Sequence, residues 1–125
     1  MKFSLCIDSI YPEDGLKEKL ERIKQAGFKF IEFWDWRDKD FELIIDSGLK
    51  VSNFSGNRVS SLTLDSKEKV IQEVNASIDV AKRLKCDRIM LLSDILESNG
   101  NVKVDSISSE KNYFAYMIIL KPLPR

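Results

Sequence analysis

Gly27-Phe28-Lys29-Phe30-Ile31-Glu32-Phe33-Trp34 and Gly48-Leu49-Lys50-Val51-Ser52-Asn53-Phe54 decide how this chain is read. Both runs open on Gly, apolar, Lys, apolar, and both carry β-branched and aromatic residues (Ile31, Phe33 and Trp34; Val51 and Phe54) that suit a pleated, half-buried surface. Each follows a helical stretch, so each glycine falls where a helix needs a left-handed residue to stop. A helix closed by glycine and followed at once by a strand is a β/α unit, and here it occurs twice with nearly the same words.

Working outward, the same alternation fills the chain. Lys2–Ile7 reads as a first strand, and Pro12-Glu13-Asp14-Gly15 as a turn with Asp14 placed to cap the next helix. Leu16, Leu20, Ile23 and Ala26 then share one helical face among charged residues. A polar link over Asp35–Asp40 leads to a shorter helix carrying Phe41, Leu43, Ile44 and Ile45. After a polar loop from Ser55 to Leu64, Asp65 or Ser66 caps a long helix with Val70, Val74, Ile78, Ala81 and Leu84 on its inner face. Arg88–Leu92 is the fourth strand. A Ser-, Asn- and Gly-containing loop spans Ser93–Ser109, and Glu110–Leu120 suits a helix, with Tyr113, Met117 and Leu120 on one face, before Pro122 and Pro124 stop it.

Strands alternating with helices predict an α/β fold, a parallel sheet of about four strands with helices outside it. Right-handed crossovers set successive strands side by side, either in an open doubly wound sheet or in part of a β/α barrel. Ser9-Ile10-Tyr11-Pro12-Glu13, the first strand-to-helix connection, has no glycine fingerprint for a pyrophosphate, which argues against a dinucleotide site.

Composition narrows the chemistry. Lys plus Arg and Asp plus Glu are 20 each, so no basic excess points to nucleic acid. No apolar run approaches the ~18 residues of a membrane span, and Phe3–Ile7 is too short for a signal-peptide core, which makes the cytoplasm the expected location. Cys6 and Cys86 lack metal-type spacing and lie in apolar segments, as reduced packing thiols do. The chain has no histidine, which removes the commonest general base and metal ligand and every Ser–His or Cys–His pairing.

Ile31-Glu32-Phe33-Trp34-Asp35-Trp36, then Asn53-Phe54-Ser55-Gly56-Asn57-Arg58, then Ala81-Lys82-Arg83-Leu84-Lys85-Cys86 before a strand, resemble hydroxypyruvate isomerase-like proteins. These belong to the xylose isomerase-like barrel superfamily, with sugar epimerases and endonuclease IV. The resemblance runs from Met1 through the fourth strand and continues more faintly through Tyr113-Phe114-Ala115 and Ile119–Leu123. It implies that residues 1–125 are the N-terminal half of a (β/α)8 TIM barrel: strands one to four and the start of helix four, with 110–125 as a truncated end. Such barrels typically take about 250 residues.

The resemblance further implies an isomerase of small hydroxy-keto acids or sugars, acting by metal-assisted proton transfer beside a carbonyl. It places the acidic metal ligands and acid–base carboxylates on later strands, so this chain alone is expected to hold no catalytic residue and no metal. The divalent ion belongs to the complete protein. An endonuclease of the superfamily would need a histidine-rich zinc cluster. The alternative is a non-catalytic half-barrel that self-associates or pairs with a complementary chain, since a half-barrel leaves two sheet edges open.

Barrel sites form at the carboxyl ends of strands. Those positions are Asp8 and Ser9, Trp34 to Trp36, Ser55 to Arg58, and Ser93 and Asp94. Trp34 and Trp36 are the candidates to cover the apolar face of a sugar-like ligand. Asn57 and Arg58 are the candidates to donate to its hydroxyl or carboxylate oxygens. The structural readings stand beside these: Trp34 packing between strand and helix, Asp8 capping its own turn, Arg58 as a solvated charge, and Glu32 in the barrel interior.

Overall fold

The computed structural model describes residues 2–62, 64–92, 96–97 and 99–101. Three strands and three helices alternate in it: β1 (Ser4–Cys6), α1 (Leu16–Gln25), β2 (Phe30–Phe33), α2 (Phe41–Ser47), β3 (Lys50–Phe54) and α3 (Lys67–Arg83). The strands pair in parallel in the order β1-β2-β3, so each helix is the crossover of a β/α unit. The loop expected over 93–109, apart from residues 96–97 and 99–101, and the helix expected over 110–120 lie outside the described residues.

Side-chain alternation sorts the sheet into two unlike faces. Ile31 and Phe33 are buried toward the helices with Ile7, Leu20, Ile23, Ile44, Val51 and Phe54. Phe33 and Phe54 stack there, their ring centroids 5.1 Å apart. The other face carries Ser4, Cys6, Phe30, Glu32 and Asn53. A bulge keeps the two sets apart: Ile31 pairs with Val51 but Glu32 pairs with Asn53, leaving Ser52 as the extra residue. Without it, Phe54 would fall on the polar face and lose the stack with Phe33. Ser52 Oγ donates to Ile31 O at 3.2 Å and meets Ser4 Oγ at 2.7 Å, which ties β1 to β3 across the backbone of β2.

The glycine caps fall where the repeat puts them, with Gly27 at φ 84° and Gly48 at φ 72°. Past α1, Phe28 N–H donates to Ile23 O and Gly27 N–H to Lys24 O, a Schellman closure. α3 ends with the same pair of bonds, Cys86 to Ala81 and Lys85 to Lys82, yet its left-handed residue is Lys85 at φ 52°. Asp14 does not cap α1. Gly15 is the N-cap and has no side chain to offer, while the Asp14 carboxylate pairs with Arg22 at 2.7 Å. Ser66 caps α3, its Oγ accepting from Lys69 N–H.

The fourth strand is slighter than expected. Arg88–Leu92 meets the sheet through one parallel bridge, Ser55 with Met90, where Gly56 N–H donates to Met90 O and Met90 N–H to Phe54 O. Beyond it the pairing is continued by a side chain. Asn57 Nδ2 donates to Leu92 O at 2.9 Å, and Leu92 N–H donates to Asn57 Oδ1 at 2.8 Å. A carboxamide thus reproduces the two-bond exchange of a backbone ladder, at a residue 2% exposed.

The inner face of α3 also differs from its apolar reading. Val70, Glu73, Ser77 and Ala81 are its buried residues, and Val74 and Ile78 are half-buried. The helix is turned so that Glu73 and Ser77 meet the loop after β3, whose backbone groups need partners away from water.

Two variants test this account. Lys85→Gly is expected to stabilise the fold by about 0.5–1 kcal/mol, because glycine adopts the left-handed conformation without a Cβ penalty. A thermal melt reads it, and an unchanged or lowered Tm would contradict the cap. Asn57→Ala is expected to cost about 2–3 kcal/mol and to speed amide exchange at Leu92 before that at Met90.

Candidate functional site at the carboxyl ends of the strands

Three described loops meet at this end of the sheet. The one after β1 contributes Asp8, which neither caps its own turn nor faces outward unpaired. Its Oδ2 accepts from Trp34 N–H at 2.6 Å and its Oδ1 pairs with Lys39 Nζ at 2.8 Å, fastening the first loop to the second. The Lys39 side chain is nearly buried and also pairs with Asp38. Burial disfavours its charge, but Asp38 and Asp8 outweigh that and raise its pKa above the ordinary lysine value.

The loop after β3 is built around Glu73. Its Oε1 accepts from Arg58 N–H at 2.8 Å and Val59 N–H at 2.9 Å, and its Oε2 from Ser60 N–H at 2.7 Å and from the Ser60 hydroxyl. Arg37 closes the arrangement with an ion pair to Oε1. Burial alone would push this carboxyl up. The bonds from Ser60, Arg58 and Val59 overcome it and hold the pKa down to about 2. Next to it, Ser77 Oγ donates to Gly56 O at 2.7 Å and accepts from Trp36 Nε1 at 2.9 Å.

The four candidate residues therefore separate into two pairs. Trp36 and Asn57 are spent on the chain itself, the indole N–H on Ser77 and both ends of the carboxamide on backbone. Trp34 and Arg58 are brought together: the guanidinium carbon lies 5.8 Å from the Trp34 ring centroid. Trp34 is 47% exposed, so it does not pack between strand and helix. Arg58 is held by its backbone at Glu73 while its side chain reaches solvent. Ser93 and Asp94 lie outside the described residues.

Below this pair, on the sheet face turned away from the helices, Asn53 Nδ2 donates to Glu32 Oε2 at 3.0 Å. Among the described residues no group of three His, Cys, Asp or Glu side chains is placed to hold a metal ion. Asp8 is engaged by Lys39, and Glu32 accepts from Asn53. As placed among the described residues, they do not fit a divalent metal. Both cysteines are free; Cys86 is buried, and burial pushes its thiol up, away from reactivity.

Glu73 and Lys39 were not read from the sequence as site-forming. For Glu73 a signal exists: Val70, Glu73, Ser77, Ala81 and Leu84 recur at helical spacing, and a stripe that admits a Glu marks a carboxylate with buried donors to satisfy.

This geometry is that of half a β/α barrel. The particular likenesses agree. AP endonuclease, family 2, from Brucella melitensis aligns with a TM-score of 0.71 at 18% identity, over 95% of this chain and 49% of its own. Protein SMc04130 from Sinorhizobium meliloti 1021 aligns with a TM-score of 0.64 at 19% identity, over 94% of this chain and 45% of its own. The chain thus spans about half the length of each, and at such identities the likeness is one of fold. No family model and no curated protein matches the sequence.

Glu73 supplies the test of this loop. A carboxyl lowered from 4.5 to about 2 contributes about 3 kcal/mol of stability. Because the folded value is the lower one, that contribution is complete above the unfolded pKa and disappears as pH falls through about 4.5 toward about 2. Glu73→Gln is expected to cost on the order of 2–4 kcal/mol at pH 7, and the gap between variant and wild type should narrow in acid. Urea midpoints across that range measure it; a gap independent of pH would contradict the assignment.

Proposed function

We propose that this chain carries the first half of a barrel site for small hydroxy-keto acids or sugars. The observation that supports it is the exposed Trp34 with Arg58 beside it, supplied by separate loops at the strand ends where barrels bind ligands. In this reading Trp34 lies against the apolar face of the ligand. Arg58 takes a planar carboxylate in a two-bond fork. Asp8 and Glu73 position these two by binding the backbone N–H groups of Trp34 and Arg58.

The isomerase reaction follows from the sequence resemblance to hydroxypyruvate isomerase-like proteins. The chain's share of it is to bind and orient; no proton transfer is assigned to its residues, and the divalent ion that the resemblance implies belongs with the complete protein. The endonuclease name of the Brucella protein is not carried over at 18% identity. Balanced charge and the absence of histidine favour a small ligand over DNA. No helix among the described residues is long and apolar enough to cross a membrane, and a cytoplasmic location goes with the metabolic reading.

Tryptophan fluorescence tests the proposal directly. Hydroxypyruvate and glycerate are expected to change the emission of the wild type and of Trp36→Phe, but not of Trp34→Ala. Arg58→Ala should weaken binding of these acids roughly 10- to 100-fold, the worth of one charge-assisted pair, and leave a neutral sugar little affected. A response that survives Trp34→Ala would sink the reading.

A further inference from the structure

Trp34 and Arg58 come from different loops, so the 5.8 Å between ring and guanidinium depends on what ties those loops together. Two side chains of the loop after β2 make that tie, and both land on α3. Trp36 Nε1 donates to Ser77 Oγ at 2.9 Å, and Arg37 Nη2 pairs with Glu73 Oε1. Glu73 and Ser77 are four residues apart and share one helix face. The two ties differ in what they reach. Ser77 passes the Trp36 contact on to Gly56 O, two residues before Arg58. The Glu73 oxygen that meets Arg37 is the one that accepts the N–H of Arg58 itself.

The Arg37 guanidinium is fixed at its other end as well. Nη1 donates to Asp35 Oδ1 at 2.9 Å, the Arg37 N–H meets the same oxygen at 3.1 Å, and the planar group lies 4.5 Å from the Trp36 ring centroid. Asp35 directly follows Trp34, whose N–H is held by Asp8. One unbroken line of contacts therefore runs from Asp8 through Trp34, Asp35, Arg37 and Glu73 to Arg58. Glu73 does not need Arg37 to order its own loop. The N–H groups of Arg58, Val59 and Ser60 and the Ser60 hydroxyl already engage both of its oxygens. What Arg37 adds is the spacing between the two loops. We propose that Arg37 is a positioning residue of the ligand site. It touches no ligand; by spanning Asp35 and Glu73 it holds the Trp34 ring and the Arg58 guanidinium at the separation that a small hydroxy acid bridges. A lysine cannot take its place, because an ammonium is a point charge and not a rigid fork with two arms. The inference rests on the ligand reading of Trp34 and Arg58.

Titration calorimetry with glycerate, hydroxypyruvate and neutral glyceraldehyde tests it, with a thermal melt of each variant beside it. Arg37→Lys is expected to weaken binding of both acids about 10-fold and that of glyceraldehyde less than about 2-fold. Arg58→Ala sets the control. Adding Arg37→Lys to it should weaken the acids by no more than about 2-fold further, because Arg37 acts through Arg58. If Arg37→Lys does not fold, Asp35→Asn takes its place. It keeps the Arg37–Glu73 pair, loosens the other arm, and should show the same acid-selective loss at roughly 3-fold. The proposal is overturned if the variant binds the acids as wild type does, or if acids and glyceraldehyde lose affinity equally. It is equally overturned if the loss persists in full on the Arg58→Ala background, as a purely structural role would give. In each of these cases wild type still binds the acids, and the reading of Trp34 and Arg58 stands. A wild type that binds neither acid overturns that reading, and the positioning role with it.

Discussion

A loop that leaves a strand and does not enter a helix at once has backbone N–H groups to satisfy, and the loop after β3 buries its share of them. Arg58, Val59 and Ser60 point their N–H groups at one carboxylate, Glu73 on α3. That single arrangement fixes much else. It turns α3 so that Ser77 reaches Gly56 O and the Trp36 indole, and it sets the backbone from which Arg58 extends toward Trp34. An apolar residue at position 73 would leave three backbone donors without their acceptor, that of Ser60 fully buried, at a cost of about 1–3 kcal/mol for the buried one. The carboxylate is thus retained against its own desolvation because the loop cannot be ordered without it.

The fold was legible because its signals are local. Gly27 and Gly48 announce helix ends through a requirement no other residue meets as easily, and Ile31 and Phe33 alternate with Phe30 and Glu32 as a two-faced strand must. Where legibility failed, the deciding interaction was a side-chain partner that spacing alone does not reveal. Asp14 has the composition of a cap, but Arg22 competes for it and Gly15 lies one position nearer the helix. Val74 and Ile78 have the right apolarity for an inner face, yet Glu73 and Ser77 take it because of donors in the loop before the helix and the Trp36 indole from the preceding β/α unit.

The site was half legible for the same reason. Strand ends could be located from the pattern, so Trp34, Trp36, Asn57 and Arg58 were all placed at the correct end of the sheet. Residue type could not separate those facing outward from those spent inward. An indole and a carboxamide serve equally well to hold a ligand or to satisfy the chain, and only the partners across 41 and 35 residues decide between them. Arg58 differs in kind: its main chain is bound and its side chain is left over.

Taken together, the two ends of the sheet stand in opposite electrostatic conditions. At the carboxyl end Arg37 pairs with Glu73 and Lys39 with Asp8, so these loops are tied together by charges of the chain itself. Near the strand starts, Lys2, Lys50 and Arg88 line a recess in which Glu32 and Asp87 are the carboxylates. Hydrophobic burial makes no such distinction, since Ile7, Ile31, Phe33 and Phe54 fill the helix side evenly from β1 to β3. The half-barrel is therefore settled on its helix side and in its site-forming loops. Its strand-end loops are preorganised by charges drawn from within the chain, so the backbone from which Trp34 and Arg58 extend is fixed by Asp8 and Glu73.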